Sequence, residues 1–195
     1  MITGIIMASG FSRRMGKDKL LMEVNGKKVI ESIIEAAKYS NLDEVILVYR
    51  LREINDIAKS YDIKTIYNEK ARLGQSQSVI LGIENSKNNS YMFLVADQPF
   101  INHLIINKLI DCYRENKDKI IIPYVNNEIN MPIIFPARFK QELLQIKGDK
   151  GGREIIRNNP RSIKMVNFDD GNFLKDIDTM EDYNKILSDY SKTII

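Results

Sequence analysis

Cysteine, histidine and tryptophan are almost absent from this chain of 195 residues, which has one cysteine, one histidine and no tryptophan. A single cysteine, Cys112, excludes an internal disulfide, and with His103 as the only histidine the usual Cys/His zinc sites cannot form. No apolar run approaches the roughly 18–20 residues that cross a bilayer. The first residues also lack the basic region of a secretory signal. We therefore expect a reduced, cytoplasmic protein that does not engage a membrane.

Charge of one sign is not concentrated anywhere along the chain. The 29 Lys and Arg residues are scattered among 26 Asp and Glu residues, and the net charge is only +3. A nucleic-acid footprint is therefore not expected. The hydrophobic fraction of 44% and charged fraction of 28% are typical of a soluble globular protein. Without a Pro/Gly/Ser-rich linker or an internal repeat, we expect one domain over residues 1–195.

Short apolar runs alternate with segments of helical periodicity over the first two thirds of the chain. This pattern predicts an α/β fold in three layers: a mostly parallel sheet with helices on both faces. Two later strands, separated by Asn126-Asn127, predict an antiparallel hairpin added at one side of the sheet. The predicted strands are 2–8, 44–49, 63–67, 91–96, 119–125, 129–135 and 162–166. The predicted helices are 28–39, 54–61, 76–83, 102–113, 138–144, 151–157 and 181–190.

The loop after the first strand, residues 9–19, is the strongest candidate for binding phosphate. In an open α/β sheet, ligands bind beyond the carboxyl ends of the strands. Two glycines, Gly10 and Gly16, allow close approach of the backbone, and four cationic side chains supply charge. The spacing is neither G-x-G-x-x-G nor a Walker loop. An ordinary turn with solvated basic residues is the alternative, and we favour phosphate binding.

Carboxylates follow two further predicted strands or extended segments. Asp97 ends an apolar strand, where it is well placed to hold magnesium or, with equal weight, to cap the next helix. Asp176 and Asp178 share one face if their segment is extended. Taken alone, Asp178 or Thr179 followed by Glu181-Asp182 is better explained as a helix N-terminus.

Together these segments resemble the GT-A-like nucleotidyltransferases, and most closely their molybdenum cofactor cytidylyltransferase (MocA-like) branch. Residues 7–19, MASGFSRRMGKDK, resemble the L-A-[AG]-G-x-S-x-R-M-G-x-x-K signature of the superfamily. The branch motifs follow in order: G-Q-S-Q-S at 74–78, A-D-Q-P at 96–99, P-I-I-F at 132–135, G-D-K-G-G-R at 148–153 and D-I-D-T-M-E-D at 176–182.

The resemblance implies a Rossmann-like fold and an enzyme that, with Mg²⁺, transfers CMP from CTP to the terminal phosphate of molybdopterin and releases pyrophosphate. A recipient molybdoenzyme is a further implied partner. The implied catalytic residues are Arg14, Lys19 and Asp97, and the implied metal ligands are Asp97 and Asp178. The implied nucleotide-binding residues are Ala8, Ser9, Gly10, Ser12, Arg14, Lys19, Gln75, Ser76, Ser78 and Asp97. Pro132, Gly148, Asp149 and Arg153 are implied in acceptor binding.

Three departures from the branch pattern keep alternatives open. Ser9 stands where the cytidylyl branch usually has Ala and the guanylyl (MobA-like) branch Gly, and Lys17-Asp18-Lys19 follows the guanylyl pattern. Asn130-Met131-Pro132 replaces the usual G-[NH]-P. The alternatives are a GTP-dependent enzyme, a different phosphorylated acceptor, or a non-catalytic protein that only binds and delivers a cofactor. Helix capping and tight turns are alternative roles for residues 75–78 and 148–149.

Overall fold

A computed structural model of the chain describes residues 1–125, 128–149, 152–169 and 171–193. Strands and helices alternate as predicted, because apolar runs too short for helices are followed by stretches with a single apolar stripe. The strands are β1 (Ile2–Ala8), β2 (Glu23–Val24), β3 (Lys27–Lys28), β4 (Glu44–Tyr49), β5 (Lys64–Tyr67), β6 (Ser90–Val95), β7 (Ile120–Val125), β8 (Glu128–Ile129), β9 (Ile133–Phe135) and β10 (Ile163–Asn167). The helices are α1 (Val29–Lys38), α2 (Arg52–Ser60), α3 (Ser76–Glu84), α4 (His103–Glu115), α5 (Lys140–Leu144), α6 (Arg153–Asn158) and α7 (Met180–Thr193).

The main sheet has the strand order β10-β7-β9-β6-β1-β4-β5, with β8 paired to the C-terminal end of β7. β1 lies between β4 and β6 and is parallel to both. β9 is antiparallel to both of its neighbours. A separate two-stranded antiparallel sheet is formed by β2 and β3. The predicted mostly parallel sheet is therefore confirmed.

Alternating side chains of β1 divide the core into two layers, one on each face of the sheet. Ile6 and Ala8 pack with buried residues of α1, α2 and α4, whereas Ile5 packs with Val79 and Ile83 of α3. Leu143 of α5 joins the second layer. Helices thus cover both faces, and the predicted three-layer arrangement is confirmed.

The predicted hairpin differs from the structure in its second strand. Residues 129–135 do not form one strand: β8 ends at Ile129, and β9 begins only at Ile133. Pro132 has no backbone N–H with which to continue a ladder. β9 is fully buried between β6 and β7, so the antiparallel strand lies inside the sheet and not at its side. The predicted turn at 126–127 lies outside the described residues.

The parallel strands β1, β4 and β6 end at the same edge of the sheet, where the loops after Ala8, Tyr49 and Val95 leave the core. This edge positions the candidate site. In the part of the chain that the structure describes, no helix has the length and apolar character needed to cross a membrane.

Candidate active site

A cleft of about 560 Å³ opens at the carboxyl ends of β1 and β6. Its lining comes from the loop after β1, the segment before α3, the end of β6 and the segment before α7. Cationic and anionic side chains both face it. The lining residues are Met7, Ser9, Gly10, Phe11, Ser12, Arg13, Arg14, Lys19, Leu20, Ala71, Arg72, Gly74, Gln75, Ser78, Val95, Ala96, Asp97, Asp149 and Asp178.

The loop after β1 is held in shape by its own hydrogen bonds. Ser12 has φ 46°, in the left-handed region that few residues other than glycine adopt. From this position its carbonyl accepts from Met15 N at 2.9 Å, and its hydroxyl accepts from Lys19 N at 3.1 Å. A Cβ on Gly10 would meet nothing within 4 Å in the free protein. The backbone at Gly10 is therefore open to an anion from the cleft.

The Lys19 ammonium bridges two carboxylates at the centre of the cleft. Its Nζ lies 2.6 Å from Asp97 Oδ2 and 2.9 Å from Asp178 Oδ1, and the Lys19 side chain is only 13% exposed. Burial by itself lowers the pKa of Lys19, but the charges and hydrogen bonds of Asp97 and Asp178 outweigh it and raise the pKa overall. Lys19 is consequently charged at neutral pH. Arg14 is also paired, with its Nη1 3.3 Å from Asp178 Oδ2.

The segment carrying Asp178 is fixed from both sides. Ile177 is fully buried, and its backbone N donates to Asp97 O at 3.1 Å. Thr179 and Asp182 form a reciprocal cap for α7, with Thr179 N to Asp182 Oδ2 at 2.8 Å and Asp182 N to Thr179 Oγ1 at 3.1 Å. The predicted cap is therefore present at Thr179, while Asp178 lines the cleft; its role as a metal ligand stays a prediction.

A third carboxylate, Asp176, lies close to this charge cluster. Burial raises the pKa of Asp176, and the negative charges of Asp97 and Asp178 raise it further. Within the described residues, however, no group of three or more His, Cys, Asp or Glu side chains is arranged to hold a metal ion.

The opposite wall of the cleft is built where two loops touch. Gln75 N donates to Asp149 Oδ1 at 3.0 Å, and Ser76 N donates to Gly148 O at 3.0 Å. Gly74 has φ 104°, and a Cβ there would lie 2.5 Å from the carbonyl carbon of Gly148. Only glycine allows this close approach of the two backbones.

Most of the predicted site residues converge on this cleft, but five do not line it, among them Gly148, whose carbonyl accepts from Ser76 N. Ala8 is 1% exposed and Ser76 is fully buried, so neither side chain faces a ligand in the free protein. Pro132 is buried beside β9, and Arg153 is an exposed residue at the start of α6. Each of these residues stands at the expected place in its sequence motif. The order of the motifs along the chain does not show which residues of a motif reach the cleft.

The sequence reasoning missed Arg72 and Arg50. Arg72 is exposed in the turn before α3 and lines the cleft opposite the loop after β1. Arg50 directly follows β4, and its Nη2 contacts Asp18 Oδ2 at 2.7 Å. The signal for Arg50 was available, since the end of β4 is a strand terminus at the same edge as β1.

The parallel sheet and the glycine-containing cationic loop at its carboxyl edge define a nucleotide-binding α/β protein. Residues 4–163 match the model of the MobA-like NTP transferase domain, and the chain belongs to this family of nucleotidyltransferases. It is similar to a probable molybdenum cofactor guanylyltransferase of Natranaerobius thermophilus, with 32% identity over 127 residues. That match covers 64% of this chain and 61% of the relative.

Two further similarities extend over nearly the whole chain. The purine catabolism protein PucB of Bacillus subtilis is 26% identical over 198 residues, which covers 95% of both proteins. A solved nucleotidyl transferase from Methanothermobacter superposes with a TM-score of 0.83 at 21% identity, covering 99% of both chains. The second similarity bears on the fold alone.

Proposed function

We propose that this protein transfers CMP from CTP to the terminal phosphate of molybdopterin and releases pyrophosphate. An oxygen of the acceptor phosphate attacks the α-phosphorus, and the bond from that phosphorus to the α,β-bridging oxygen breaks. The observation that carries the proposal is the convergence of Arg14, Lys19, Asp97 and Asp178 beside the open backbone of Gly10.

Binding and charge neutralisation are the tasks left to the chain's own residues. The acceptor phosphate is already anionic, so the reaction requires no general base. Negative charge builds on the α-phosphate and on the leaving pyrophosphate, and positioned cations stabilise it. Lys19 and Arg14 line the cleft together with Gly10 and Ser12, which places their charges beside a triphosphate bound to this loop.

The carboxylates of the cleft fit a magnesium ion. Mg²⁺ in nucleotide sites is usually held by one or two carboxylates together with substrate phosphates and water. Asp97 and Asp178 supply two carboxylates, with side chains 22% and 43% exposed. The ion would supply charge neutralisation at the phosphates. The roles assigned to both residues are part of this proposal.

The choice of CTP over GTP is supported by sequence motifs, while the similarity to several guanylyltransferases favours GTP. The run Ala8-Ser9-Gly10 lacks the double glycine expected of the guanylyl branch, and the G-Q-S-Q-S loop at 74–78 is typical of the cytidylyl branch. In the structure the Ser9 hydroxyl donates to Val48 O at 3.1 Å. The relative from Natranaerobius is named a guanylyltransferase, so GTP is the second candidate donor.

Pyrophosphate release with Mg²⁺ and molybdopterin tests the proposal, with CTP and GTP compared in parallel. Release that requires molybdopterin, prefers CTP and falls by a factor of about 10² or more in Asp97→Asn is the expected result. A preference for GTP would move the protein to the guanylyl branch with the same mechanism. Nucleotide binding without pyrophosphate release would contradict molybdopterin as the acceptor. If neither nucleotide binds, the proposed enzymatic activity is wrong.

A further inference from the structure

Arg50 contacts the loop after β1 at three points. Its Nη2 donates to Gly10 O at 3.2 Å and to Asp18 Oδ2 at 2.7 Å. Its guanidinium also lies over the ring of Phe11, 4.6 Å from the ring centroid. Arg50 does not line the cleft. One side chain from the end of β4 therefore holds the first part and the last part of the loop together.

Asp18 transmits this contact to Lys19. Its Oδ1 accepts from Leu20 N at 3.2 Å and so caps the short 3-10 helix of Lys19–Leu21. Its Oδ2 is the partner of Arg50. The Asp18 carboxylate thus contacts both the 3-10 helix that carries Lys19 and the Arg50 side chain, which also binds the Gly10 carbonyl.

The Arg50–Asp18 pair is shielded from water, unlike the ion pair next to it in the chain. The two side chains are 22% and 12% exposed. Arg52, two residues along, is 91% exposed and lies 3.9 Å from Asp56. Exposed pairs of the second kind contribute little, whereas a shielded, well-aligned pair holds its partners in place.

We propose that Arg50 is the positioning residue of the phosphate-binding loop: it closes Gly10 against Asp18 and so sets the position of Lys19 before the nucleotide arrives. This inference rests on the function proposed above. The loop contains left-handed backbone at Ser12, which a residue other than glycine seldom adopts in a free chain. A loop ordered in advance loses less conformational entropy when it binds a triphosphate.

The test compares Arg50→Met with Arg52→Met, which removes the same charge two residues away. Two readouts are needed: the Kd for Mg·CTP and Mg·GTP by calorimetry, and the rate of tryptic cleavage after Arg13, Arg14 and Lys17 in the free protein. We expect Arg50→Met to weaken binding about tenfold or more and to speed loop cleavage several-fold, while Arg52→Met matches wild type.

Conservative variants separate loop positioning from general stability. Arg50→Lys keeps a cation for Asp18 but cannot also hold Gly10 and Phe11, so its binding should be intermediate. Asp18→Asn should weaken binding, and combining it with Arg50→Met should add little because the pair is already broken. Asp18→Asn also tests the pair if Arg50→Met does not fold.

Unchanged nucleotide affinity together with unchanged loop cleavage in Arg50→Met would overturn the inference. The inference would also be overturned if the losses of nucleotide affinity in Asp18→Asn and Arg50→Met added fully in the double variant. If the wild-type protein binds neither nucleotide, the proposed function fails, and the cleavage comparison alone decides whether Arg50 holds the loop.

Discussion

Replacing Lys19 by Met should make the free protein bind a divalent cation more tightly. In the free protein the Lys19 ammonium lies between Asp97 and Asp178, the two carboxylates proposed to hold magnesium. A metal ion that arrives without nucleotide must therefore separate both ion pairs. With nucleotide present, the phosphates offer Lys19 an alternative partner, which offsets the free-energy cost of separating the ion pairs.

The magnitude follows from the geometry of the pairs. The Lys19–Asp97 contact is 2.6 Å long between side chains that are 13% and 22% exposed, and a charge-assisted hydrogen bond of this kind contributes about 2 kcal/mol. Asp178 is 43% exposed, so solvent reduces its contribution to ~0.5 kcal/mol or less. The Asp97 pair alone corresponds to a factor of about 30 in affinity.

The assay is titration of the nucleotide-free protein with Mn²⁺, with free Mn²⁺ measured by electron paramagnetic resonance. Lys17→Met is the matched control, because Lys17 is exposed in the same loop and its loss changes the net charge equally. We expect Lys19→Met to bind Mn²⁺ about 30-fold more tightly than wild type, and Lys17→Met to differ by less than about twofold.

Two results would refute this reasoning. If Lys19→Met binds Mn²⁺ no more tightly than wild type, the ion pairs do not compete with the metal. If Lys17→Met gains as much as Lys19→Met, the gain comes from net charge and not from the bridge. Asp97→Asn should abolish the gain when combined with Lys19→Met, which ties the effect to this carboxylate.

Four further substitutions probe the cleft walls and the helix behind it. Gly10→Ala should leave the urea midpoint unchanged, since its Cβ meets nothing within 4 Å, but should weaken nucleotide binding measured by calorimetry about tenfold or more because a phosphate can no longer approach the backbone. Gly74→Ala should lower the free energy of unfolding by about 2 kcal/mol in urea denaturation, because its φ is 104° and its Cβ would lie 2.5 Å from Gly148; a fully stable variant would contradict this. Thr179→Ala should cost about 1 kcal/mol by the same measurement through loss of the α7 cap. Hydrogen bonds from Thr179 lower the pKa of Asp182, so the stabilisation is complete above its unfolded pKa of about 4 and is lost as the pH falls through the lower folded value. The stability difference between wild type and Asp182→Asn should therefore be constant near pH 7 and shrink below about pH 4; a difference that grows on acidification would contradict the cap.

The sequence was most informative where one physical rule dominated. β4 matches its predicted range of 44–49 because EVILVY is a short apolar run with charged or polar residues on both sides. The segment 129–135 was predicted less well, since its apolar residues gave a continuous strand pattern. β8 and β9 are separate strands because they pair differently: β8 pairs with β7, whereas β9 pairs with both β6 and β7. The pairing of β9 with β6 joins distant parts of the sequence, so a local pattern does not predict it.

Within the site, sequence order predicted which loops meet but not which side chains face the cleft. Ser76 and Ser78 are two residues apart at the start of α3, and only Ser78 lines the cleft while Ser76 is fully buried. The 3.6-residue period separates their directions by about 200°. A motif that names both residues therefore contains one that lines the cleft and one that packs in the interior.

Ion pairing is the part of the site that spacing cannot encode. Lys19 and Asp178 are 159 positions apart, and Asp178 also belongs to a segment whose pattern is fully explained by the cap at Thr179 and Asp182. The hydrogen bond from Ile177 N to Asp97 O ties that segment to the end of β6, where both carboxylates meet the same ammonium. The proposed competition between Lys19 and the metal thus arises from a backbone contact between two distant loops.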